Sequence, residues 1–165
     1  MTRARDIASR NYYKPGEVIQ TQYVQSSARQ TISAADVAAI TALTIDITPR
    51  FANSRILLRA MVNSSATYVS TFSFLKNNAQ MSGTTTNSNS SGGIATVYQF
   101  DTGGNNMENV YLEYLDTAIT STSLINYKVA GCSSWAGTSY NLYINDRSTS
   151  DMLSVSTFTV QEIAQ

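Results

Sequence analysis

The sequence predicts an all-β fold: a jelly-roll-like antiparallel β-sandwich preceded by a short extended N-terminal arm. Three observations lead there. Apolar residues recur at every second position in short runs, Gly, Pro, Asn and Ser signals separate the runs, and no long amphipathic helical period appears. The chain has 165 residues, one domain's worth, with only two prolines. Roughly eight to ten short strands at this spacing form the pattern of a sandwich or barrel.

Residues 1–16 lack alternation and end in Lys14-Pro15-Gly16, a turn signal. They read as an arm outside the domain, with room for a helical turn around Ala4–Ser9. Fully extended, about 14 residues reach ~50 Å, far enough to cross onto a neighbouring molecule. Residues 17–165 read as the sandwich domain. In its first strand Ile19, Thr21 and Tyr23 alternate with glutamines, which predicts one wet face. Thr31–Ser33 suits a short edge strand. The alanines of Ala34–Ala42 suit a helical turn, but nine residues are too few for an independent helix, and the stretch stays ambiguous.

Leu43, Ile45 and Ile47 then alternate with Thr44, Asp46 and Thr48 until Pro49 stops the strand. In Arg55–Asn63, Ile56, Leu58, Ala60 and Val62 share a face, and in Thr67–Leu75, Tyr68, Phe72 and Phe74 lie on one side. Lys76-Asn77-Asn78 is a tight turn, because Asn tolerates positive φ. Gly83–Gly93 is low-complexity Thr, Asn, Ser and Gly and reads as a long mobile loop. Further strands are expected at Ile94–Phe100, Val110–Leu115, Leu124–Ala130, Tyr140–Ile144 and Leu153–Ile163.

Composition narrows the function. Charged residues make up 13% of the chain, against a usual value of about 25%. Ser, Thr, Asn and Gln fill the gap, with ten tyrosines among them. A polar, uncharged, tyrosine-bearing surface suits packed neighbours better than a freely diffusing enzyme. Net charge is zero, yet up to Lys14 there are four cations (Arg3, Arg5, Arg10, Lys14) against Asp6, a net of +3 that leaves −3 on the remainder. That balance argues against a specific nucleic-acid binder. One cysteine, Cys132, allows no internal disulfide. No apolar run approaches the ~20 residues that span a bilayer, and the basic start has no apolar stretch behind it, so neither membrane span nor signal peptide is expected.

Chemistry is scarce. The chain has no histidine, which removes the usual general base, proton shuttle and zinc ligand and makes a Ser-His-Asp or Cys-His device impossible. Glycoside hydrolysis needs only two carboxylates. Glu108, Glu113 and Asp116 cluster, but ordinary surface carboxylates explain them more simply. Asp146 and Asp151 flank Arg147 in what reads as a turn with a local ion pair. No calcium loop, phosphate loop, metal site or cofactor site is found. The expectation is a chain that is not an enzyme and holds no cofactor.

Two groups of residues point instead to contact. The arm carries Arg3, Arg5, Asp6 and Arg10, followed by Tyr12 and Tyr13. It combines forked donors with large amphipathic rings, the residue types enriched at interface hot spots, and the plainer reading is a solvated tail. Gly131–Gly137 reads as a loop that offers Trp135, with Tyr140 nearby, as an outer-surface or glycan contact. A half-buried tryptophan is the plainer reading there. Asn63-Ser64-Ser65 and Asn89-Ser90-Ser91 match glycosylation sequons and are read as chance in a Ser/Asn-rich chain.

Several stretches resemble a family of tailed-bacteriophage virion structural proteins found in phages of aquatic bacteria, including cyanophages. Arg3-Ala4-Arg5-Asp6-Ile7-Ala8 resembles the "RARDIA" start of tail-fibre and appendage proteins, and Gly16–Gln20 resembles the first strand of their β domain. Leu43–Pro49 followed by Ser54–Leu58 is similar to a strand pair of that family. Phe72–Asn77 resembles its hairpin, with Asn78 where glycine is usual. The most distinctive match is Tyr114-Leu115-Asp116-Thr117-Ala118-Ile119-Thr120 with Tyr127-Lys128-Val129 after it, Ala118 standing in place of proline. The resemblance implies a jelly-roll-type domain that assembles as a homotrimer on the outside of a virion, without enzymatic activity. The leading expectation is a capsid decoration (cement) protein, bound through its arm to the major capsid protein or another virion protein. A tail-fibre or receptor-binding protein contacting host polysaccharide is one alternative, and a free carbohydrate-binding module is another. The chain has neither heptads nor repeats with which to build a fibre shaft.

Overall fold

The computed structural model describes residues 13–81, 85–87, 90–98, 103–136 and 138–165. It is all-β, with fourteen strands among the described residues. The first seven are β1 (Val18–Ser26), β2 (Gln30–Ile32), β3 (Ala38–Ile47), β4 (Arg55–Ala66), β5 (Val69–Lys76), β6 (Ala79–Gln80) and β7 (Thr85–Asn87). The rest are β8 (Ser90–Gly93), β9 (Ala95–Tyr98), β10 (Glu108–Asp116), β11 (Ile125–Trp135), β12 (Thr138–Tyr140), β13 (Leu142–Ile144) and β14 (Ser156–Ile163).

The pairings are nested. β1 pairs with β14, β3 with β11, β4 with β10 and β5 with β9, all antiparallel. That is one long hairpin, its tip between β5 and β9, rolled so that β14 also pairs with β4 and β11 with β5. Rolling divides the strands into two sheets, β1-β14-β4-β10 and β3-β11-β5-β9. β13 and β2 extend the first sheet, β12 and β6 the second. This is the jelly roll, in which a rolled ribbon buries one face of each sheet against the other.

Alternation explains which side chains fill the space between. Ile56, Leu58, Ala60 and Val62 of β4 are all buried, as are Phe72 and Phe74 of β5 and Phe158 and Val160 of β14. Phe74 and Phe158 stack across the two sheets with centroids 5.6 Å apart. Burial of such rings, at about 1.5–3 kcal/mol each, is the main force holding the sheets together. Asn77 and Asn78 take φ of 51° and 67°, as the turn after β5 requires.

Four expectations are corrected. Ala34–Ala42 forms no helical turn: its second half starts β3, because Ile40 and Leu43 belong to the core. A register shift between Val18 and Gln20 reverses the alternation in β1, so Val24 packs on the core and Tyr23 is 57% exposed. The low-complexity stretch is not simply a loop, since β7 and β8 form a two-stranded sheet in it and β8 lies against β5 and β11. Small side chains on that outer face (Thr71, Ser73, Ala130, Cys132, Ser134) are buried and leave room for the approach. A Cβ on Gly93 would lie 2.2 Å from Thr71 Cγ2, so only glycine fits there. Finally, Gly131–Trp135 is not a loop but the end of β11, with Gly131 admitting the ring of Phe72.

Candidate functional site

The base of the arm is a built contact. Pro49 ends β3, and the following turn would leave several backbone N–H groups unpaired beneath the sheet edge. Glu162 of β14 supplies the acceptors. One carboxylate oxygen accepts from the N–H groups of Arg50 (2.8 Å) and Phe51 (3.2 Å) and from Ser54 Oγ (2.6 Å). The other accepts from Gln20 Nε2 at 2.6 Å, and that amide also donates to Thr48 O. Glu162 is 0% exposed. Burial pushes its pKa up, but the four hydrogen bonds outweigh burial and hold it below the ordinary carboxylate value.

The turn so clamped presents Arg50 and Phe51 outward. Arg50 Nη1 donates to the Tyr13 hydroxyl at 2.8 Å, and the Tyr13 ring meets Phe51 edge-on at 5.8 Å. Beyond Tyr13 the chain is fixed as well. Lys14 N donates to Glu17 Oε2, Gly16 turns with φ +88°, and Gly16 N donates to Ala164 O while Ala164 N donates to Glu17 O, each at 2.9 Å, extending the pairing of β1 with β14. A cleft of about 370 Å³ beside Tyr13 is lined by Phe51, Asn53, Ala164 and Gln165. Of the arm residues singled out in the sequence, Tyr13 belongs to this contact. Arg3, Arg5, Asp6, Arg10 and Tyr12 lie outside the described residues.

At the other end of β4 lies an aromatic group. Tyr98 of β9 stands opposite Val69, while Ser70 stands opposite Ser133 and Ser133 opposite Tyr140 of β12. This brings the ends of four strands into one line. Trp135 and Tyr98 meet edge-on at 6.1 Å, and Tyr68 and Tyr140 pack at 4.4 Å. Trp135 is 39% exposed and Tyr98 57%. The structure therefore places Trp135 and Tyr140 at the same end and adds Tyr68 and Tyr98 to them.

The family-like motif around Asp116 resolves into a buried network. Tyr127 donates to Asp116 Oδ2 at 2.7 Å, Lys76 Nζ lies 2.8 Å from the same oxygen, and Ala118 N donates to Oδ1 at 2.9 Å. Burial raises the Asp116 pKa, and Lys76, Tyr127 and the Ala118 amide together bring it below normal. Burial, then the bond to Asp116, pushes the Tyr127 hydroxyl far above the ordinary tyrosine value. Glu113, three residues earlier, points outward and pairs with Arg59 at 2.7 Å. Alternation thus sends the two carboxylates to opposite faces of β10, and they do not converge on a common point. Arg147 and Asp151 form the expected local ion pair. Among the described residues no group of three or more His, Cys, Asp and Glu is placed to hold a metal ion, and no helix is long and apolar enough to cross a membrane.

Sequence reasoning missed Glu162, Arg50 and Phe51. A signal for Glu162 was present, since it occupies the inward phase of Phe158 and Val160. Nothing local marked Arg50 and Phe51, whose partners are more than thirty residues away in sequence.

No protein-family model matches the chain, and no curated protein sequence matches it. Among solved structures, dimeric latent PorU from Porphyromonas gingivalis is similar over 92% of this chain, with 9% identity and a TM-score of 0.35. The subviral particle of infectious bursal disease virus VP2 is similar over 88% of it, with 10% identity and a TM-score of 0.35. This chain spans 14% and 38% of the lengths of those two chains. At that level neither likeness bears on function, and the fold assignment rests on the strand order given above.

Proposed function

We propose that this chain is a structural, non-catalytic component of a tailed-bacteriophage virion: a capsid decoration protein held on the outer capsid surface by its N-terminal arm. The observation that carries the reading is the seat of Tyr13 on the turn clamped by Glu162. A tail of no consequence has no need of a rigid root. Here the basic segment leaves the body from a point fixed by hydrogen bonds, a ring contact and a buried carboxylate. Arg3, Arg5, Arg10 and Tyr12 are then delivered to a neighbouring subunit from a defined position, which lowers the ordering cost of the contact. The resemblance of the opening residues and of the Asp116 motif to phage virion proteins supports the same reading.

In this proposal three copies form a trimer, and the three arms bind the major capsid protein or a companion virion protein. Each arm contact is weak alone, and linkage through the trimer raises the effective concentration of the other two. Binding to assembled capsid and not to free subunits stabilises the shell by mass action. The absence of histidine and the commitment of Asp116, Glu113, Asp151 and Glu162 to structural partners support a role without turnover.

The test is deletion of residues 1–12, which leaves Tyr13 and its seat intact. The truncated protein is expected to fold, to keep its oligomeric state by calibrated mass measurement, and to lose binding to purified particles in co-sedimentation. Undiminished sedimentation with particles would remove the arm from the mechanism. A faint rather than abundant band in purified particles would favour a tail-fibre tip over a decoration protein.

A further inference from the structure

We propose that the end of the body bearing Tyr68, Tyr98, Trp135 and Tyr140 is a binding site for neutral polysaccharide. The starting point is position. β4 starts at the turn that seats Tyr13 and ends beside Tyr68, and the eleven steps between the first and last of its twelve residues span roughly 36 Å at ~3.3 Å each. A body held by its arm therefore presents the aromatic end away from the surface it is attached to.

The chemistry of that end is distinctive. Residues 60–75, 77–100 and 129–145, which carry all four rings, contain no Asp, Glu, Lys or Arg. The charges nearest in the fold are those of the 146–151 segment and Arg29, which neutralise one another as Arg29 with Asp146 and Arg147 with Asp151, and Glu108, which stands opposite Ser64 at the start of β10. An aromatic surface whose ring-bearing stretches carry no cation is unsuited to a phosphate backbone, whose recognition needs cations. It is suited to a partner that is itself neutral, rich in hydroxyls and able to offer flat C–H faces to a ring. A neutral sugar chain has those properties. Tyr and Trp offer rigid area with a polar tip at low entropic cost, and Ser, Thr and Asn around them supply adaptable hydrogen bonds.

The rings are also held in place. Trp135 sits at the last position of β11, where the chain turns back through Ala136 at φ +49° into β12. The left-handed region is strained for alanine, so the sheet on both sides must impose it. Tyr98 braces Trp135 edge-on, and Tyr140 braces Tyr68. Trp135 and Tyr98 keep 39% and 57% of their surface exposed with these contacts made.

Trp135 is the only tryptophan in the chain, so its fluorescence reports on this site alone. The experiment titrates the full chain with dextran, laminarin and yeast mannan, with anionic alginate as contrast, and follows tryptophan emission and retardation in native affinity gels. At least one neutral polysaccharide is expected to retard the protein and shift its emission, with alginate no better. Tyr98→Ala and Trp135→Ala are each expected to weaken retardation about tenfold while the melting temperature holds, since both side chains are partly exposed. Retardation by none of the three neutral polymers would overturn the proposal. So would retardation unchanged in both variants, or self-association that disappears with Trp135→Ala, which would make the end a protein interface. None of these outcomes depends on the arm, so they are read separately from particle binding.

Discussion

The hydroxyl of Tyr127 donates to Asp116 Oδ2 at 2.7 Å inside the body, with Lys76 on the same oxygen at 2.8 Å. The two residues lie on β11 and β10, in opposite sheets, and the bond joins the sheets where the chain leaves β10. The stretch from Tyr114 to Thr120 and the Tyr127 that follows it thus form one structural unit: the acid caps the turn through Ala118 N, and the phenol satisfies the acid.

Tyr127→Phe is expected to cost about 2 kcal/mol, the range for a buried hydrogen bond to a charged group. Urea unfolding measures it. A midpoint equal to wild type would mean that Lys76 alone satisfies Asp116.

The same site sets part of the acid limb of stability. Asp116 has a lowered pKa in the fold, against about 3.9 when unfolded. Between the two values the unfolded chain binds more protons, so stability falls as pH falls. The contribution is fully present above about pH 5 and is lost as pH drops through the folded value. Asp116→Asn is expected to flatten the loss of stability on acidification, with Glu162 and the exposed Glu113 and Asp151, all held below their ordinary values by their partners, supplying the remaining slope. An unchanged slope in denaturant melts across this range would contradict the assignment.

Glu162→Gln retains one acceptor oxygen in place of two and is expected to destabilise the protein by about 2–3 kcal/mol, as charge-assisted bonds in a buried setting imply. The turn from Pro49 to Ser54 should loosen most. Faster tryptic cleavage after Arg50 than in wild type, under native conditions, is the specific readout, and equal cleavage rates would refute it.

Gly93→Ala places a methyl group 2.2 Å from Thr71 Cγ2 and 2.7 Å from the Phe72 carbonyl. A loss of about 1–3 kcal/mol is expected from overpacking. Gly16→Ala is the control: it meets open space and feels only backbone strain at φ +88°, so its melting temperature should fall less.

Tyr13→Ala removes a half-buried ring and the partner of Arg50 Nη1. Its melting temperature should stay close to wild type, while co-sedimentation with particles should weaken about tenfold, as for an interface hot spot. Equal loss of stability and binding would make Tyr13 merely a part of the body.

Much of the fold was legible because strand alternation is a local property. The inward phase of Ile56–Val62 and of Phe72 and Phe74 could be read residue by residue, and the Asn77-Asn78 turn follows from backbone preference. The failures share one cause. In β1 a single irregularity between Val18 and Gln20 moved Tyr23 from the expected inner face to the outer one, because the period of two turns a one-residue slip into a change of face. The Ser/Asn-rich stretch carries no apolar alternation: β7 and β8 pair with each other, and β8 packs on β5 and β11 through the close approach at Gly93.

The sequence by itself determined that the chain is all-β, that it bears few charges and no histidine, and that four of its eleven basic residues fall within the first fourteen positions while long central stretches carry none. These properties depend on residue type and near-neighbour pattern. Only the tertiary structure decided that Glu162 clamps the turn seating Tyr13, that Tyr127 of β11 meets Asp116 of β10 across the sheets, and that Tyr68, Tyr98, Trp135 and Tyr140 meet at one end. Each of those relations joins residues from different strands, and it is the rolling of one long hairpin, driven by burial between the sheets, that fixes which strands become neighbours.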